Sequence, residues 1–366
     1  MPRLTKIGVG NFKSIQDLQP LEIRPTNVLI GANGAGKSNL ISFLRLLNSM
    51  PAARLQEHIG KAGGADTLLY YGAKQTSTIW AVLEFEGKTG PGKYLFHLTS
   101  TATDSLIFAD EVMEYSIIRG APPKRVHLGS GQRESLLMAA PQDYVEILDL
   151  LAGFRIFHFE DTSETAAIRR RGYIEDNGYL RSDGGNLAAY LFGLSRRQPA
   201  YYQRIIELIR QIAPFFHDFE LARMPNDPNS ILLNWRDRDS TYLFGPHQLS
   251  DGTLRAMSLI ALLAQPEDEL PQVIVLDEPE IGLHPYALEI VSALVKSASV
   301  HRTLLLATQS VSLVNQFAPD DVITVTREDA QSKFVRQNSE SLGAWLEDYA
   351  IGELWEMNLI GGTPAR

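Results

Sequence analysis

Gly31-Ala32-Asn33-Gly34-Ala35-Gly36-Lys37-Ser38 constrains this chain more than any other stretch, because it meets the pattern G-x-x-x-x-G-K-[ST] at every fixed position. Val28-Leu29-Ile30 before it reads as a buried strand, and Asn39 to Leu47 after it has helical apolar spacing. Strand, loop and helix therefore arrive in the order that a phosphate-binding loop needs. Its glycines let the backbone turn sharply and bring N–H groups close to phosphate oxygens, and the positive helix N-terminus adds to the hold on an anion. Lys37 then supplies a point charge to the β- and γ-phosphates, and the Ser38 hydroxyl is placed to ligate Mg²⁺. The pattern predicts a nucleoside triphosphate site.

A chain of 366 residues, 44% hydrophobic and 21% charged, has the composition of a soluble globular protein with one large or two ordinary domains. No apolar run approaches the roughly 20 residues of a membrane helix, and the start lacks the apolar core of a signal peptide. Without cysteine there is no disulfide framework and no thiolate zinc site, so a cytoplasmic setting is expected. A net charge of −9 argues against a general nucleic-acid binder. Local basic groups stand at Lys124-Arg125, Arg169-Arg170-Arg171 and Arg196-Arg197, of which Arg169 to Arg171 is the candidate for contact with DNA phosphates or an acidic partner; otherwise these are solvated faces.

Thr5 to Ile15 alternates like a strand, and Leu21 to Ile23 reads as another. Trp80 to Glu86, Tyr94 to Thr99 and Glu111 to Ile118 read as a β-meander, and about Tyr144 to Pro214 as helical. Strand-like composition returns at Ser230 to Trp235, a helix is expected over Leu342 to Tyr349, and linkers at Asp176 to Gly185 and Pro225 to Asn229. Val273-Ile274-Val275-Leu276-Asp277-Glu278 is an apolar run ending in two acids, which is how a buried parallel strand delivers carboxylates to the end of a sheet. Leu304 to Ala307 is a second such run, ending in Thr308-Gln309-Ser310. Leu249 to Arg255 precedes an apolar helix, with Ser250 placed as its N-cap.

Val9-Gly10-Asn11-Phe12-Lys13-Ser14-Ile15 followed by Gly31 to Asn39 resembles the opening of the RecF/SMC-like branch of ATP-binding-cassette ATPases, and Asp277 to Pro285 resembles the Walker B segment and loop of RecF-like and OLD-like ATPases. The resemblance implies an α/β fold: an ABC-type core with a mixed sheet and flanking helices, carrying an inserted β-meander and a helical lobe. It divides the chain into core residues 1–68, a β-rich insertion 69–143, a helical lobe 144–229 and core residues 230–366. It further implies that Asp277 and Ser38 hold Mg²⁺, that Glu278 orients and polarises the attacking water, and that Asn33, Gly34, Ala35, Gly36, Lys37, Ser38 and Asn39 hold ATP. Leu249-Ser250-Asp251-Gly252 resembles the signature motif, departing from it at Asp251. In that family the signature serine and glycine, here Ser250 and Gly252, contact ATP held by the other subunit, which implies a homodimer on ATP binding. Transporter relatives carry a histidine where Gln309 stands. An amide still donates a hydrogen bond there, but does not change charge near neutrality. Ile281 to Pro285 is implied to contact the other subunit, with His284 in a packing role rather than that of a base.

Neither the long coiled-coil arm of SMC proteins nor, after Ser310, room for the metal-dependent nuclease domain of OLD-like enzymes is expected. The implied function is an ATP-hydrolysing switch working in DNA repair or anti-phage defence with a separately encoded effector. Two alternatives stay open. One is the ATPase subunit of a transporter, in which the signature lies much closer to the phosphate loop than Leu249 is to Ser38. The other is an ATP-dependent, non-hydrolytic scaffold.

Overall fold

The apolar runs that end in polar residues become neighbouring strands of one sheet. The computed structural model describes residues 2–88, 90–116, 120–139, 144–224 and 226–362. Its central sheet takes the order Gln331–Arg336, Val322–Glu328, Thr26–Ile30, Thr303–Thr308, Val273–Asp277, Phe154–Phe157, parallel throughout except for the antiparallel edge strand Gln331–Arg336. Strand alternation divides its side chains between two cores. Val28, Ile30, Leu304, Leu306, Ile274 and Leu276 point into one. Leu29, Leu305, Ala307, Val273 and Val275 point into the other. Burial on both faces explains why these runs are continuously apolar rather than alternating.

A second sheet lies across the latter core, entirely antiparallel, in the order Ile15–Glu22, Arg3–Phe12, Thr78–Glu86, Pro91–Ser100, Leu106–Tyr115, Lys124–Gly129. The N-terminal strands and the meander thus share one hydrogen-bonded layer. The helix after the phosphate loop, Lys37–Ser49, buries Leu40, Ile41, Phe43, Leu44, Leu46 and Leu47 in that same core. Helices Leu187–Arg197, Pro199–Ile212, Asp251–Leu263 and Pro285–Ser299 cover the opposite face.

Four local expectations differ from the structure, one being the linker expected over Pro225 to Asn229, where Asp227–Ile231 forms a short antiparallel strand. The stretch read as helical from Tyr144 does begin with a helix, Val145–Ala152, but then supplies the core strand Phe154–Phe157. Four residues are too short to show an alternation, so the parallel pairing with Val273–Leu276 decides their conformation. Leu342 to Tyr349 is not one helix, since Ser339–Leu342 and Trp345–Asp348 are separated at Gly343. The first strand ends at Phe12, where positive φ angles at Asn11 and Lys13 turn the chain into Ile15–Glu22. Ile117, Ile118 and Pro225, which those readings included, lie outside the described residues.

Candidate functional site

Parallel register aligns the carboxyl ends of four strands. Ile30 pairs with Thr308, Ala307 with Asp277, and Leu276 with Phe157, so Gly31, Gln309, Glu278 and His158 leave the sheet side by side. Loops at this edge of an open α/β sheet are where ligands bind.

The phosphate loop is braced from outside. Gly34 and Gly36 have φ of 76° and 122°, and a Cβ on Gly36 would lie 2.1 Å from Ser332 Oγ. Glycine is required there by both conformation and space. Ser332 Oγ donates to the Ala35 carbonyl at 2.5 Å, pairs with Ser14 Oγ at 2.6 Å, and Asn39 Nδ2 donates to Ser14 Oγ at 2.6 Å. Asn39, expected to hold nucleotide, commits its side-chain amide to this brace. The helix starting at Lys37 has no side-chain cap and no acid in its first turn, leaving its N-terminal dipole to an anion.

Lys37 is 6% exposed. Its Nζ donates to the Gly31 carbonyl at 2.6 Å and the Ala32 carbonyl at 3.2 Å. Burial holds its pKa below the ordinary lysine value, although Glu278, Asp277 and Glu280 all pull upward. Ser38 and Asn33 are exposed. A groove of about 450 Å³ runs beside Ala32 to Ala35, walled by Val325 to Glu328 and by Gly361 and Gly362. The Ala32 N–H donates to the Gly362 carbonyl at 2.8 Å, so the chain's return closes one end of the loop.

The acidic strand ends in two differently held carboxylates. Asp277 is raised above the usual carboxylate range, first by burial and then by Glu278, while His158, whose Nδ1 lies 3.9 Å from Asp277 Oδ2, opposes the shift. Burial disfavours the charged form of this carboxyl, and a cation beside it would relieve that penalty, which fits Mg²⁺. Among the described residues no group of three or more His, Cys, Asp or Glu is arranged as a metal cage. An ion shared by Asp277, the Ser38 hydroxyl and substrate phosphates is the kind Mg²⁺ uses. Glu278 follows with φ of 45°, a left-handed conformation that a non-glycine residue adopts at a cost. Its N–H donates to the Ala307 carbonyl at 2.8 Å, and its Oε1 accepts from Gln309 Nε2 at 2.6 Å. The same Nε2 donates to Asn33 Oδ1 at 2.7 Å, so Gln309 ties the acid to the tip of the phosphate loop.

Sequence reasoning missed two residues here. Glu280 accepts at Oε1 from Thr308 Oγ1 at 2.6 Å and from the Gln309 N–H at 3.0 Å. His158 reaches Asp277 from the unrecognised strand, with Nε2 3.2 Å from Glu160. The signal for Glu280 was its place within Asp-Glu-Pro-Glu; His158 had none beyond the short apolar run before it.

The segment expected to act across a dimer lies at one side of this edge. Ser250 Oγ caps helix Asp251–Leu263 by accepting the Thr253 N–H at 3.1 Å. A Cβ on Gly252 would lie 2.1 Å from the Gly282 carbonyl, so this turn packs against the loop after Glu278. Arg255 donates to the carbonyls of Ile281, Phe159 and Glu160. Among the described residues no hydrogen bond joins Ser250 or Gly252 to the same chain's phosphate loop. His284 caps helix Pro285–Ser299 through Nδ1.

Arg169 is a correction. Expected as a phosphate-gripping surface residue, it is 5% exposed and donates to the carbonyls of Thr162, Pro246 and Leu249 and to Asp251 Oδ1 at 2.7 Å. Its guanidinium fork is used up inside the protein; Arg170 and Arg171 are exposed.

A phosphate loop, an acidic strand end and a polar residue on the strand between them, set in a mixed sheet with an antiparallel layer beside it, define the fold of a P-loop nucleotide-binding domain of the ABC/SMC-head type. An Smc head bound to the C-winged helix domain of ScpA superposes with a TM-score of 0.61 at 16% identity, covering 93% of this chain and 99% of that one. An Smc head with an extended coiled coil, bound to the C-terminal domain of ScpA from Pyrococcus furiosus, gives 0.59 at 15% identity, covering 95% and 99%. The chain belongs to the family described as "AAA domain, putative AbiEii toxin, Type IV TA system", whose model matches residues 26–111 and 152–315. It is also 31% identical over 128 residues to the energy-coupling factor transporter ATP-binding protein EcfA2 of two Staphylococcus epidermidis strains. That match spans 34% of this chain and 43% of the relative.

Proposed function

We propose that this protein hydrolyses ATP as a dimerising switch that works with a separate effector protein, in DNA repair or anti-phage defence. The observation that carries the reading is Gln309, whose amide joins the acid at the end of one strand to the phosphate-loop tip at the end of another. On ATP binding Lys37 leaves the carbonyls of Gly31 and Ala32 for the phosphates, and the uncapped helix N-terminus faces them. Mg²⁺, held by Ser38 and Asp277, would neutralise charge between the β- and γ-phosphates. Glu278 orients water and takes up its proton, while the Gln309 amide donates to the water or to a phosphate oxygen.

Ser250 and Gly252, apart from their own chain's loop, complete the site of a second copy. The ScpA domains bound to the two Smc heads support a protein partner. DNA contact has lost Arg169 and would rest on Arg170 and Arg171. The EcfA2 match supports ATP binding, which the transporter reading shares. Among the described residues no helix is long and apolar enough to cross a membrane.

Glu278→Gln tests the core of the proposal. The variant should bind ATP with near wild-type affinity, lose nearly all hydrolysis and elute as an ATP-dependent dimer in size-exclusion chromatography. Wild-type turnover in a monomeric variant would remove Glu278 from this role.

A further inference from the structure

Glu280 presents a carboxylate that the proposed chemistry does not use. Its Oε1 takes donors from two consecutive residues, the Thr308 hydroxyl at 2.6 Å and the Gln309 N–H at 3.0 Å. The Thr308 hydroxyl in turn accepts the Ser310 N–H at 2.9 Å, so the whole turn after the sensor strand hangs on this one oxygen. From that turn the Gln309 side chain reaches Glu278 and Asn33. Glu280 also stands two residues after Glu278, whose backbone is in the left-handed region. One side chain therefore fixes both the origin of the Gln309 amide and the end of the kinked segment presenting the acid. Its other oxygen, Oε2, is buried and has no hydrogen-bond partner among the described residues. A buried acceptor left without a donor costs free energy, and such exceptions concentrate where a site rather than the packed core sets the residue.

We infer that Glu280 is a positioning residue for hydrolysis, holding the Gln309 amide in line with Glu278 by accepting from the Thr308–Gln309 turn. The inference rests on the ATPase reading and adds to it a residue that need not touch substrate. Because the work is done by an acceptor at a set reach, charge is dispensable and length is not. Glutamine keeps an oxygen at the same distance; aspartate is one methylene too short.

The experiment compares Glu280→Gln, Glu280→Asp and Glu280→Ala in the full chain. The alanine and aspartate variants should lose kcat by on the order of 10- to 100-fold, the scale of a misplaced catalytic group, with KM for ATP nearly unchanged. The glutamine variant should keep most of the activity. Combining Glu280→Ala with Gln309→Ala should be no worse than the more damaging single change, since both disable one device. Hydrogen exchange of the nucleotide-free protein gives a readout independent of turnover: the Gln309 amide should exchange faster in the alanine variant and as in wild type in the glutamine variant. If Glu280→Ala does not fold, Thr308→Val removes one donor of the turn and should produce the same kcat loss in milder form. Wild-type kcat and exchange in the alanine variant, or a glutamine variant as inactive as alanine, would overturn the inference. A wild-type protein that turns over no ATP would instead overturn the ATPase reading, and exchange at Gln309 would still report whether Glu280 holds the turn.

Discussion

Lys37 shows how far a single residue can be read and where reading stops. Its place in the loop pattern made its chemistry legible, but not that its ammonium rests on the Gly31 and Ala32 carbonyls at a cost in desolvation. Residues held for a ligand are stabilised less by their own fold than a neutral replacement would be. Lys37→Met is accordingly expected to leave the melting temperature of the nucleotide-free protein unchanged or raised, and to abolish the further rise on adding ATP and Mg²⁺; a thermal shift assay with and without nucleotide checks both. His58 gives a prediction of opposite character, away from the site. Burial, then Lys13, Arg45 and Lys61, hold its pKa below 6.5, and its Nε2 is buried without a partner among the described residues. Just below pH 6.5 the unfolded chain binds a proton that the folded one does not, so stability falls as pH falls through that window. Between pH 7 and pH 5, from about 0.5 unit above to about 1.5 units below the ordinary histidine value, His58→Leu should lose less stability in urea titrations than wild type. Parallel losses would contradict this. Glu280 and His158 were missed for another reason: each acts on a neighbour brought close by strand register, Glu280 on the turn at Thr308 and His158 on Asp277 more than a hundred residues on, and a single sequence does not display register.

At the scale of elements, legibility followed burial. Thr26–Ile30, Val273–Asp277 and Thr303–Thr308 lie in the middle of the parallel sheet with both faces covered, and their continuous apolar runs announced them. Phe154–Phe157 lies at the edge, interrupted by the exposed Arg155, and was hidden behind a helix. The helix cap at Ser250 was legible, yet what holds its turn was misread, because a run of three arginines looks alike whether solvated or folded inward. Arg169 ties Thr162, on the segment before it, to Pro246, Leu249 and Asp251 around the signature turn. Removing it takes a side-chain donor from the carbonyls of Thr162, Pro246 and Leu249, of which Pro246 keeps only the Leu249 N–H among the described residues. Arg169→Met, which preserves length and apolar stem, should destabilise the protein by about 2–4 kcal/mol, within the range for a broken buried polar network. Hydrogen exchange should rise over residues 246 to 253 while the phosphate loop stays protected. A neutral substitution with unchanged exchange would return Arg169 to the surface role first read from its sequence.

For the whole molecule, the separation of the phosphate loop from the proposed signature turn decides what assembly must do. Gly31 to Ser38 sits at the end of a central strand, whereas Gly252 packs on Gly282 and Ser250 bonds within its own turn. If each active site takes its loop from one copy and its signature from another, Lys37→Ala and Ser250→Arg should each be inactive alone, the first through lost charge and the second through bulk at a helix N-terminus. Mixed, they should complement. With freely exchanging subunits about half the dimers of a two-fold assembly are mixed, and each carries one doubly damaged site beside one intact site, so roughly a quarter of the sites in the mixture are competent. Single-turnover hydrolysis should then show a burst near a quarter of the wild-type amplitude, while each variant alone shows none. Crosslinking must establish that mixed dimers form, and strict coupling between the two sites would suppress the burst even when they do. Pairing wild type with the doubly substituted chain separates the cases: shared sites are then each damaged once and give no burst, whereas sites built within one chain leave the wild-type chain's site intact. Mixed dimers that give no burst in the first pairing but do give one in the second would show that Ser250 serves its own chain and that the shared-site assembly is wrong.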